Sequence, residues 1–144
     1  MKKRLALLLG LLVLAAGYGF YHHYMRQAAI RGTLAYGRLP PLPPSAREVE
    51  VETSGSPFSR TFWLSFQADE PTLRAWLRRC PELQARAPGE PLSYPRAHDA
   101  PRWFPPVSGA GTQTFEIPFN RDALYGTVWV DWKTRRVYIQ TSHS

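Results

Sequence analysis

The stretch Tyr125-Gly-Thr-Val-Trp-Val-Asp-Trp-Lys-Thr-Arg-Arg-Val-Tyr-Ile-Gln-Thr141 limits the possible folds more than any other part of the chain. With Trp132, Lys133, Thr134 and Arg135 as a loop, Asp131 falls opposite Arg136, Trp129 opposite Tyr138, and Val128 and Val130 opposite Ile139 and Val137. In this register valine and isoleucine share one face, while aromatic and opposite-charge pairs share the other. A slip of one residue would mix the two sets. The stretch therefore reads as an antiparallel hairpin with one apolar and one aromatic face. Its turn resembles the Val-Asp-x-x-Thr-Gly turns of small secreted β domains, with Asp131 and Thr134 as the hydrogen-bonding pair. Arg135 stands where glycine would relieve a left-handed backbone. The likeness is confined to the turn and names no family.

Other segments alternate in the same way. In Arg47-Glu-Val-Glu-Val-Glu52, Val49 and Val51 point one way and three glutamates the other, which predicts a strand at a sheet edge. From Ser59 to Gln67, Phe62, Leu64 and Phe66 share a face, leaving Trp63 on the other side to be covered by a loop or used in contact. Thr112 to Phe119 alternates again, with Phe115, Ile117 and Phe119 together and Pro118 near the strand end. Between them, Asp69-Glu-Pro-Thr opens a helix with a capping aspartate and a first-turn proline. Leu73, Trp76, Leu77 and Cys80 then follow the spacing of one helical face. Residues 84–111 carry six prolines and no strand-length apolar run, so they read as a long irregular loop, the best place to look for a site. The expected architecture is α+β: about five strands in a mostly antiparallel sheet, packed on one amphipathic helix.

Ahead of this domain, Met1-Lys-Lys-Arg4 precedes an uncharged run from Leu5 to Met25. As a helix that run would rise about 31 Å, close to a bilayer core. The basic start predicts a single-pass membrane protein with a cytoplasmic amino terminus and an extracytoplasmic or periplasmic domain; Tyr18, Phe20, Tyr21 and Tyr24 would lie at the far interface. Ala15-Ala16-Gly17 leaves a second reading open, a cleaved signal segment that releases the domain. Residues 26–45, with Pro40-Pro-Leu-Pro-Pro44, read as a proline-rich spacer, and residues 46–144 as the exported domain.

The net charge of +7 belongs to the leader. Six basic and no acidic residues precede residue 45, whereas from Ser45 onward twelve Lys or Arg face eleven Asp or Glu, 12 − 11 = +1. A nucleic-acid partner loses its electrostatic basis. The single cysteine, Cys80, cannot form an internal disulfide and falls on the core face of the helix.

No catalytic residue, metal ligand set or cofactor-binding motif is assigned: no nucleophile turn, metal-ligand spacing or phosphate-binding glycine pattern occurs in the sequence. Trp103, Phe104, Trp129, Tyr138 and Trp63 are the candidate binding residues, because Trp and Tyr give large contact area at low entropy cost. They would serve a membrane-anchored binding or accessory module that meets a protein or cell-envelope partner, with its oligomeric state left open. An immunity-type inhibitor of a toxin is one variant. The competing expectation is a small envelope hydrolase with its site under the 84–111 loop and His98, Asp99 or Glu116 as acid or base. A third is a purely structural domain on a tether.

Overall fold

The computed structural model describes residues 2–56, 58–105 and 109–143, with side chains from Leu8 onward. Six strands, β1 (Arg47–Gly55), β2 (Arg60–Gln67), β3 (Gln84–Arg86), β4 (Thr112–Ile117), β5 (Leu124–Asp131) and β6 (Arg136–His143), form one sheet. Their order is β1-β2-β6-β5-β4-β3, and every neighbouring pair is antiparallel. Among the described residues two helices accompany them, α1 (Lys2–Tyr36) and α2 (Glu70–Arg78).

The β5–β6 hairpin takes the expected register, with Val128 opposite Ile139, Trp129 opposite Tyr138, Val130 opposite Val137 and Asp131 opposite Arg136. Asp131 closes the turn: its carboxylate accepts from Lys133 N at 2.9 Å and from the Thr134 hydroxyl at 2.8 Å. Arg135 adopts φ 55°, the left-handed conformation that a Cβ makes costly. β1 is an edge strand, as its alternation of valine and glutamate predicts. α2 starts where expected, because the Asp69 side chain accepts from Thr72 N at 2.8 Å and satisfies an otherwise unpaired first-turn amide. That hydrogen bond also holds the Asp69 carboxyl below its usual range.

The sheet has six strands rather than five because Gln84–Arg86 pairs with Glu116–Thr114 at the far edge. Gln-Ala-Arg has no apolar alternation, and three residues leave too short a pattern to read. Phe119, expected on the strand face with Phe115 and Ile117, lies past the end of β4, is 57 % exposed and stacks on Tyr125.

The larger difference concerns residues 26–45. Instead of a spacer, α1 continues without interruption to Tyr36, and its last turns enter the core. Ile30, Leu34 and Leu39 are buried with Leu64, Phe66, Trp76, Val128 and Ile139 in one cluster, with Leu42 packed against it. Each such side chain contributes on the order of 1.5–3 kcal/mol by leaving water. Helix and sheet approach closely: a Cβ on Gly32 would stand 3.0 Å from the Phe62 ring, and Thr141 donates to the Thr33 carbonyl at 3.3 Å. The proline run packs on the domain: Pro43 is buried, and the Pro41 carbonyl accepts from Trp76 Nε1 at 3.1 Å.

The other half of α1 behaves differently. From Leu8 to Tyr24 every large apolar or aromatic side chain is more than half exposed, on all sides of the helix. Among the described residues no helix is long and apolar enough to cross a membrane. Leu5, Ala6 and Leu7, which open the apolar run, lie outside the described side chains.

Candidate functional site

Alternation along the strands places Trp63 of β2, Trp129 of β5 and Tyr138 of β6 on the sheet face away from α1. Residues 87–105, which form neither helix nor strand, cross that face as a strap. Phe104 is its plug. The ring is fully buried, edge-on to Trp129 at 5.7 Å and to Tyr138 at 5.5 Å between centroids. Trp63 and Trp129 are buried beneath it. Three of the five rings expected to form a contact surface are therefore core residues, because the proline-rich segment folds back over them. Only Trp103 and Tyr138 are half-exposed, and burial pushes the Tyr138 phenol above its usual range.

Polar side chains of the sheet hold the strap. Glu116 of β4, almost fully buried, accepts from Ser93 N and from the Arg86 guanidinium. Burial works to raise its carboxyl pKa, but Arg86 and the Ser93 amide outweigh that and keep it below the usual range. Thr127 donates to the Tyr94 carbonyl at 2.6 Å. Gln140 accepts from Ala97 N at 2.8 Å and donates to the Pro95 carbonyl at 3.1 Å.

This arrangement bears on the candidate acid–base residues. Glu116 is an ionised clasp with its oxygens engaged. His98 and Asp99 are exposed at the tip of a turn closed by Ala100 N to the Ala97 carbonyl at 3.2 Å. The strap does not bring His98, Asp99 and Glu116 to a common point. Cys80 is buried, and burial pushes its thiol up to about 12, which makes it a poor nucleophile. Among the described residues no group of three His, Cys, Asp or Glu could hold a metal ion. The β1 glutamates have other partners: Glu48 and Glu50 meet Arg136, and Glu52 accepts from Trp103 Nε1 at 3.3 Å.

A groove of about 550 Å³ opens between α1 and β1. His22, Met25, Arg26 and Ala29 form its helix side, Val49 to Thr53 its strand side, and Arg60, Phe62 and Trp103 complete it. Arg26 bridges the two sides, donating to the Val49 carbonyl of the edge strand at 2.6 Å. Of these residues the sequence reasoning singled out only Trp103 for binding. The available signal was Arg26, the first charge after the apolar run. A second groove, about 620 Å³, lies at the far edge, between Arg86–Glu90, Thr112–Thr114 and Trp129. Its charged residues Arg86 and Glu90 are paired with each other.

Compared with known protein families, curated proteins and solved structures, the chain matches none.

Proposed function

We propose that this protein is a single-pass membrane protein with a cytoplasmic amino terminus, whose residues 46–144, together with the end of α1, form an extracytoplasmic binding or accessory module. The observation that carries this reading is the two-part character of α1, apolar and exposed on every side up to Tyr24, yet built into the domain core from Ile30. An apolar rod with no polar face requires an apolar surrounding, and a bilayer supplies one. From Leu5 to Met25 the rod would rise about 31 Å. Lys2, Lys3 and Arg4 would hold its start in the cytoplasm.

The same helix argues against release by a signal peptidase. Cleavage after Gly17 would leave Tyr18, Phe20, Tyr21 and Tyr24 in water on a helix that the domain holds in place. It also argues against a loose tether, since no break separates the exposed half of α1 from the docked half. The domain then keeps one orientation to the membrane, as a positioned partner-binding module requires. Binding is favoured over hydrolysis because Glu116 is committed to the strap and the His98-Asp99 pair lies at an exposed turn.

The test is topology in cells. The full chain should stay in the membrane pellet through alkaline carbonate extraction, and alkaline phosphatase fused behind its carboxyl end should be active. Recovery of the full chain in the cytosol, or an inactive phosphatase with a fluorescent cytosolic reporter, would overturn the proposal.

A further inference from the structure

We propose that the groove between α1 and β1 takes the zwitterionic headgroup of a phospholipid from the bilayer that holds α1, seating the domain on the membrane by its β1 edge. The inference rests on the membrane reading above and adds a ligand to it. Position is the first reason. The uncharged run ends at Met25, and Met25 and His22 already line the groove, so it opens at the level where hydrocarbon gives way to headgroups.

Charge is the second. Arg26 and Arg60 contribute two positive charges to the lining and Glu52 a negative one, the Glu50 carboxylate being paired with Arg136. An anionic headgroup would leave the Glu52 carboxylate without a cation, and a free cation would leave both guanidinium groups without an anion. A phosphate joined to an ammonium satisfies the two sets together: phosphate against arginine N–H groups, ammonium against Glu52 and the Trp103 ring, which Glu52 already holds through Nε1 at 3.3 Å. Arg26 spends one nitrogen on the Val49 carbonyl, which fixes its guanidinium at the mouth of the groove.

The third reason is Phe58, which precedes Arg60 by two residues in the β1–β2 connection and is 86 % exposed. Beside a groove at headgroup depth, this ring has an apolar destination, and the unpaired edge of β1 is covered against association with other strands.

The full chain is reconstituted into nanodiscs of phosphatidylcholine, into nanodiscs of phosphatidylglycerol, and into maltoside micelles, and hydrogen exchange is followed along β1. Phosphatidylcholine should slow the β1 amides about ten-fold relative to micelles, and phosphatidylglycerol should not. Arg60→Gln and Glu52→Gln should each remove most of that slowing while β5–β6 exchange stays unchanged. Equal slowing in both lipids, slowing in neither, or insensitivity to both substitutions would overturn the headgroup assignment while leaving the anchor intact. Failure of the chain to enter either disc would overturn the anchor as well.

Discussion

On one face of the sheet Leu64, Phe66, Val128, Val130, Val137 and Ile139 are sealed by α1, α2 and the segment that follows α1. On the other, Trp63 and Trp129 are sealed by a strap with no helix or strand of its own. The first closure spreads its free energy over many apolar contacts, so it depends on shape and volume. The second relies on one plug, Phe104, and a few polar clasps at Glu116, Thr127 and Gln140. It also leaves Trp63 Nε1 buried without a hydrogen-bond partner among the described residues. Such an orphan costs about 1–3 kcal/mol. The strap face is thus the part of the domain that should open first.

Leu64→Ala strikes the helix face at a fully buried position and should cost about 3 kcal/mol, read as a shifted denaturant midpoint for the whole domain. Phe104→Ala removes a larger side chain but should shift that midpoint less, by about 2 kcal/mol or under, because the loss is limited to the free energy of closing the strap. Acrylamide quenching of tryptophan should rise in Phe104→Ala before any unfolding and stay unchanged in Leu64→Ala. Equal midpoint shifts with no change in quenching would erase the contrast between the faces.

Glu116→Gln should have a smaller effect, about 1 kcal/mol, visible as faster exchange of the Ser93 amide with the helix face unaffected. Its acid counterpart has a fixed sign. Because the folded-state pKa of Glu116 is lowered, its contribution is full above the ordinary carboxylate range and disappears as pH falls through the lowered value. The strap should therefore loosen in acid while the helix face persists. Smallest is Arg135→Gly, which lies outside both faces and should stabilise the domain by about 0.5–1 kcal/mol through relief of its left-handed backbone.

The helix face was legible in the sequence because its residues obey short periods. Val128, Val130, Val137 and Ile139 alternate within one hairpin, and Leu73 and Trp76 recur at helical spacing behind the Asp69 cap. The end of α1 was not legible. Ile30, Thr33 and Leu34 become a buried stripe only when set against Phe62 and Thr141, about a hundred residues away in the case of Thr141, and the prolines after them resemble a linker. The aromatic face was legible, but whether it is exposed or covered was not. Whether Trp63 and Trp129 meet water depends on Phe104 in a segment without periodicity, held by single hydrogen bonds between distant residues. The α1–β1 groove has the same origin: His22 and Arg60 have no sequence relation, and only the packing of helix against strand brings them to one groove.

The central proposal is that α1 is one helix in two surroundings. Single cysteines along residues 8–36, placed in a Cys80→Ser background and treated on whole cells with a membrane-impermeant thiol reagent, test this directly. Positions 8–14 should stay unlabelled even after the domain is denatured in place, Ala35 should label at once, and Ile30 and Leu34 should label only on denaturation. Ready labelling at Leu11, Leu12 or Leu14 would contradict it.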